Sequence, residues 1–218
     1  MPDFAARRLT MVDTQVRPSD VTKFPIISAM LDIPRERFLP VSLAEAAYIG
    51  ENLTPAPGRV LLDPRTFAKM LDALSLDGRE LVLDIAPGQG YSSAVLARLA
   101  QTVVAVEPDT ALAAEAESAH AEIDASNIVQ VAADLVEGAP RHGPYDALMI
   151  QGGIGEFPVA LTDQLKDGGR AVVLFMQDGM HGTVRLGVRR DGVMHWRDLF
   201  NASAPVLDAF ARKDNFVF

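Results

Sequence analysis

Leu81-Val82-Leu83-Asp84-Ile85-Ala86 is an unbroken apolar run carrying a single acid. A strand with one face in water alternates apolar and polar residues, whereas a run without alternation suits a parallel strand covered on both faces. Runs of the same kind recur at Thr102–Val106, Ile128–Ala132, Ala147–Ile150 and Ala171–Phe175. Helical spacings lie between them. Phe67, Met70, Leu71 and Leu74 mark a helix ending near Asp77-Gly78, and Val95, Leu96 and Leu99 mark another. Pro108-Asp109 opens one carrying Leu112, Ala116, Ala119 and Ile123, and a further helix is expected at Phe157–Lys166. Strands alternating with helices at these lengths predict an α/β fold, a mostly parallel twisted sheet with helices on both faces. The end of the chain breaks that rhythm. Val184, Leu186 and Val188 alternate with Arg185 and Arg189, and Asp191-Gly192 is a hairpin turn from which Val193–Phe200 returns. Residues 213–218 offer a last edge strand. The sheet is therefore expected to finish in an antiparallel hairpin, against which Trp196, the only tryptophan, packs.

Residues 1–62 read differently. One helical pattern, around Leu9, Val12 and Val16, stops at Arg17-Pro18. A second, through Ile26, Ile27, Met30 and Leu31, is capped by Thr22, tolerates Pro25 in its first turn and is closed by Pro34. A loop-rich stretch with prolines at 55, 57 and 64 follows. No separate core is evident, so residues 1–62 are expected to form a helical and loop cap on a main domain of residues 63–218, the two making one structural unit. A net charge of −9 argues against broad binding to nucleic acid. The absence of cysteine removes disulfides, thiolate metal sites and a cysteine nucleophile, and fits a reducing compartment. With no long apolar segment at the start, a cytoplasmic monomer with no membrane partner is expected. The four histidines are dispersed without metal spacing, so no metal is expected.

Chemistry concentrates after the first strand. Ala86-Pro87-Gly88-Gln89-Gly90 turns the chain into a helix at the carboxyl end of that strand, where open α/β sheets bind ligands. Gly88 admits close approach of a ligand, and free N–H groups of the following helix point to the same place. Gly90 is expected to leave room for a cofactor or the next helical turn, so that Gly90→Val would harm binding more than folding. Glu107 closes the second strand, nineteen residues beyond Gly88, where an acid accepts both hydroxyls of a ribose. Asp134, after the third strand, is placed to bond an adenine amino group. Two ligands compete for such a loop. For NAD, a third glycine belongs where Ser93 stands, and Asp84 would repel a pyrophosphate. S-Adenosylmethionine has no phosphate, and Asp84 suits a sulfonium bearing an amino group. The terminal hairpin also favours a methyltransferase architecture. S-Adenosylmethionine, leaving as S-adenosylhomocysteine, is the better reading.

Several segments then resemble one family. Met11-Val12-Asp13-Thr14-Gln15-Val16-Arg17-Pro18, Ala29-Met30 and Ile33-Pro34-Arg35-Glu36-Arg37-Phe38-Leu39-Pro40 are similar, in order and spacing, to the opening of the protein-L-isoaspartate O-methyltransferases. Ala47-Tyr48, Gly58-Arg59 and Gln164-Leu165-Lys166-Asp167-Gly168-Gly169-Arg170 continue the likeness, which covers roughly residues 9–178. The resemblance implies a Rossmann-like class I methyltransferase that repairs proteins by methylating the carboxylate of isoaspartyl residues in a peptide. It puts cofactor contacts at Asp84, Ala86, Gly88, Gly90, Glu107 and Asp134.

The chain departs from the family at three places. Where the family reads Thr-Ile-Ser-x-Pro, this chain has Val60-Leu61-Leu62-Asp63-Pro64, so Leu62 replaces a hydroxyl associated with catalysis. Gly-Asp-Gly becomes Ala133-Asp134-Leu135, and Ala86-Pro87 stands for Gly-Thr or Gly-Ser. Leu62 is expected beside the methyl-transfer pocket, and Asp63 is expected to oppose an anionic substrate. The alternatives are a relative that binds S-adenosylmethionine without repairing proteins, or one that methylates a different small acceptor. Gln15, Arg17, Arg35 and Arg37 either meet an acidic substrate or, more simply, pair with local acids at the surface.

Overall fold

The computed structural model describes residues 3–212. Among the described residues, seven strands form one sheet in the order β3-β2-β1-β4-β5-β6-β7. They are β1 (Leu81–Ile85), β2 (Thr102–Val106), β3 (Ile128–Val131), β4 (Tyr145–Ile154), β5 (Leu165–Met176), β6 (Gly182–Arg190) and β7 (Val193–Ala202). The first five are mutually parallel; β5–β6 and β6–β7 are antiparallel, as the alternation after Val184 requires. β1 lies between β2 and β4, so the connections leave it in opposite directions and open a crevice at its carboxyl end. Residues 213–218, expected as an edge strand, lie outside the described residues.

Helices α1 (Phe4–Met11), α2 (Phe24–Asp32), α3 (Pro64–Leu74), α4 (Tyr91–Ala97), α5 (Thr110–Glu122) and α6 (Val159–Asp163) complete the fold. Three of them start where their capping acids dictate, α1 at Asp3, which accepts the Ala6 N–H, and α3 and α5 likewise. Asp63 accepts the Thr66 N–H at 2.9 Å and Asp109 accepts those of Ala111 and Leu112, satisfying donors that a helix leaves orphaned. Among the described residues no helix is long and apolar enough to cross a membrane.

Met11, Val16, Ile27, Met30 and Phe38 of the first 62 residues are buried in the same apolar cluster as the sheet residues Val82, Leu83 and Val104. Arg35 ties these parts together, and here the expectation of a surface arginine fails. It is 1% exposed, donates from Nε to the Ala47 carbonyl at 2.7 Å and from Nη2 to that of Leu62 at 2.6 Å, and its guanidinium lies 4.8 Å from the centre of the Tyr91 ring. Arg17 and Arg37 do pair with acids, Asp13 and Glu122.

Three local expectations need correction. The first helix does not stop cleanly at Pro18 but widens into a π-turn over Val12–Val16 and tightens into a 3-10 turn over Arg17–Ser19, ending at Asp20 in a left-handed conformation. Lys23, not Thr22, is the residue before α2, and no side chain caps it. The helix expected over Phe157–Lys166 is only Val159–Asp163, because the Gln164 carbonyl accepts the Tyr145 N–H and draws the chain into β5. Trp196 packs edge-on against Phe175 and Phe157, at 4.8 and 5.1 Å between ring centres.

Candidate functional site

β4 continues past the end of β1 through Gln151-Gly152-Gly153-Ile154, and residues 204–207 lie alongside this extension, Val206 bridging Gly153 in parallel. Gly153 donates to the Pro205 carbonyl and accepts from the Leu207 N–H, both at 2.9 Å. A Cβ on Gly153 would come within 3.0 Å of the Ala204 carbonyl oxygen, which is why a glycine stands at this bridge. The bridged segment carries Asp208 to the crevice. From the other side, Asn52 joins the loop before α3 to the same segment, donating to the Ser203 carbonyl and accepting the Asp63 N–H.

The glycine loop runs Ala86-Pro87-Gly88-Gln89-Gly90 at the carboxyl end of β1. Ala86 has φ +60, a left-handed conformation that disfavours any residue with a Cβ by about 1–2 kcal/mol. Its N–H donates to the Val106 carbonyl, which holds the loop against β2 in spite of that strain. Gly90 has φ +92, and a Cβ there would meet His120 Nε2 at 2.6 Å and the Ala116 Cβ at 2.9 Å, both on α5. The reason for glycine at 90 is therefore the packing of the loop on α5. A side chain at 90 carries a folding cost of its own, beside any effect on binding. His120 seals this contact, its Nε2 lying 2.9 Å from the Gly90 carbonyl oxygen; burial lowers its pKa.

Asp84 sits beneath the loop, completely buried. Its Oδ2 accepts the hydroxyls of Ser92 and Ser93, both at 2.6 Å, and its Oδ1 accepts Gln151 Nε2 at 2.7 Å. Burial outweighs these three donors and pushes its carboxyl up to about 6. Ser93, at the place of the missing third glycine, is thus an Asp84 partner. Both carboxylate oxygens of Asp84 are engaged by side chains of the protein.

Glu107 is 0% exposed at the end of β2. Its Oε2 accepts the Gly88 N–H at 3.1 Å and its Oε1 that of Asp109 at 3.0 Å. The remaining acceptor directions go to Arg59, whose Nε reaches Oε2 at 2.7 Å and whose Nη2 reaches Oε1 at 2.5 Å. This hydrogen-bonded pairing raises the Arg59 pKa further. The Arg59 stem lies over Gly88, whose missing Cβ would be 3.6 Å from that of Arg59. Arg59 stands between Glu107 and a cavity of about 310 Å³ lined by Gly58, Arg59, Pro108, Asp134, Leu207 and Asp208, among others.

The structure thus brings Gly88, Glu107 and Asp134 to one crevice. Asp84 lies buried beneath the loop, and Gly90, at the loop's end, faces α5. Leu62 is 2% exposed and packed in the core, outside the lining of this cavity, and Asp63 is committed to capping α3. Arg59, Gln151 and Asp208 are the residues that sequence reasoning missed as site residues. Only Arg59 carried a signal, standing next to Gly58 in the loop before α3.

A cofactor fits these residues on one count above all. Two parallel N–H donors of Arg59 fill the carboxylate of Glu107, and a vicinal diol offers the same carboxylate two hydroxyl donors. The acceptor is built for a bidentate donor, and a ribose provides one.

Comparison with known proteins gives a consistent picture. A family model described as Protein-L-isoaspartate(D-aspartate) O-methyltransferase matches residues 9–201. A protein-L-isoaspartate O-methyltransferase of Syntrophus aciditrophicus is 38% identical over 173 residues, 79% of each chain. One from Methanoregula boonei is 34% identical over 85% of this chain and 84% of its own. A solved protein-L-isoaspartate O-methyltransferase superposes with a TM-score of 0.78 at 25% identity over 91% of this chain; the match spans 65% of that longer one. A Plasmodium falciparum structure in complex with S-adenosyl-L-homocysteine shares the fold, with a TM-score of 0.75 at 15% identity, covering 96% of this chain and all of its own.

Proposed function

The chain belongs to the protein-L-isoaspartate(D-aspartate) O-methyltransferase family, and from that premise we propose that it methylates the free carboxylate of isoaspartyl residues in peptides, using S-adenosylmethionine. The observation that carries the reading within the structure is Glu107, a buried carboxylate at the crevice whose acceptor directions suit a ribose diol. Gly88 would let the cofactor approach the loop backbone, and Asp134, on the cavity wall, is the proposed partner of the adenine amino group. Asp84 and Ala86 would act indirectly, by fixing the loop. Residues 1–62 are proposed as the cap that carries Gly58 and Arg59 over the crevice.

Bound S-adenosylmethionine supplies an electrophilic methyl group on a sulfonium. The protein need not supply a base, because a carboxylate with an ordinary pKa near 4 is already ionised at neutral pH. Its work is to place one oxygen in line with the methyl group and strip water from it. The proposed setting is the cytoplasm, with the protein acting as a monomer on peptides and not on nucleic acid, as its net charge of −9 supports.

A second reading, favoured by Leu62, is a methyltransferase turned to a small acceptor, or a binder of the cofactor without repair activity. Removing one oriented donor from a site of this kind lowers turnover by on the order of 10²-fold or more. Methyl transfer to an isoaspartyl peptide, with the matching aspartyl peptide as control, separates the two readings.

A further inference from the structure

We propose that Arg59 is a removable plug in the ribose subsite, holding Glu107 until a ribose diol takes the carboxylate and then turning to Asp208. The inference rests on the cofactor reading above. Its basis is an acceptor count. Glu107 already receives Gly88 N, Asp109 N and two donors from Arg59, one pair on each oxygen. A carboxylate has about four in-plane acceptor sites, so a diol and Arg59 exclude one another.

The arginine is able to leave. Its side chain is 13% exposed at the wall of the cavity, and beneath it lies Gly88, with no side chain to hold its stem. Glu107 is unable to follow, being wholly buried. A second acid is ready for the displaced guanidinium: Asp208 lines the same cavity, its Oδ2 3.9 Å from the Cβ position of Gly58, the neighbour of Arg59. Asp208 and Asp109 already act on Arg59 through their charges, both favouring its protonated form. Glu107 therefore always has a partner, Arg59 or the ribose, and the exchange needs only side-chain rotation. The consequence is reduced affinity, because a ligand that binds only the unplugged form has its affinity reduced by the fraction of molecules in that form.

Isothermal calorimetry with S-adenosylhomocysteine on the full chain tests this without any turnover. Arg59→Gln removes the charge and the fork and should tighten binding about 10-fold or more. Arg59→Lys keeps the charge but loses the bidentate geometry, and should tighten it by a smaller factor. Asp208→Ala takes away the alternative partner and should weaken binding several-fold. Should Arg59→Gln fail to fold, the lysine variant carries the test. Affinity that is equal or weaker in the Arg59 variants overturns the plug and leaves the cofactor reading standing. No binding at millimolar ligand by the parent or any variant overturns both.

Discussion

Gly90→Ala should destabilise the fold severely, and the size of the effect follows from three contributions. The residue has φ +92, where an L-amino acid is disfavoured by about 1–2 kcal/mol. The new methyl would sit 2.6 Å from His120 Nε2, 2.7 Å from its Cε1 and 2.9 Å from the Ala116 Cβ, closer than Cβ atoms approach anything. His120 has little freedom to yield, since it is buried and packed against Phe38 with ring centres 5.8 Å apart. Overpacking of a tight core contact adds about 1–3 kcal/mol. Moving the imidazole also sacrifices its bond to the Gly90 carbonyl, worth about 1 kcal/mol. The expected loss is about 3–6 kcal/mol, read as a drop in urea midpoint at unchanged slope. His120→Ala opens the space that the methyl needs, so the two substitutions should couple by about 1–3 kcal/mol in a double-mutant cycle. A Gly90→Ala loss below about 1 kcal/mol, or strict additivity with His120→Ala, would refute the packing argument and return Gly90 to a direct role at the cofactor.

Asp84 gives a pH dependence with a definite sign. Its carboxyl is raised by burial to about 6, so ionising it costs the folded state on the order of 3 kcal/mol at neutral pH, and that cost is relieved as pH falls through 6 towards 4. In Asp84→Asn the cost is gone at every pH, the serine hydroxyls turning to accept from the new amide. The parent should therefore gain stability on the variant between pH 7.5 and pH 4.5 in parallel urea titrations, and a flat difference across that range counts against the assignment. Leu62→Ser should lose about 2–4 kcal/mol, since it truncates a core side chain and buries a hydroxyl. A loss under about 1 kcal/mol in urea unfolding would put Leu62 at an open wall instead.

The parallel part of the sheet was legible because it is buried on both faces, which leaves an apolar run as its trace. β1 and β2 match that trace to within a residue at each end. The antiparallel end was legible because one solvated face restores alternation around Asp191-Gly192. Less was visible where backbone and packing decide. The extension of β4 through Gly152 and Gly153 depends on a parallel bridge from residues 204–207, and nothing local in either segment announces the other. Glu107 could be placed at the crevice from its position at the end of a strand. That Arg59, 48 residues earlier in the chain, would fill its carboxylate is a tertiary fact. Leu62 shows the reverse case: its position in the motif pointed to the reaction, whereas its apolar side chain lies in the core.

Transfer of a labelled methyl group from S-adenosylmethionine to an isoaspartyl peptide, beside the same peptide with a normal aspartyl residue, tests the central claim most directly. The account predicts a base-labile methyl ester on the isoaspartyl peptide and none on its control. Calorimetry showing that the chain binds S-adenosylhomocysteine, with label in neither peptide, would contradict the repair reading and leave a methyltransferase of another acceptor or a cofactor-binding relative in its place.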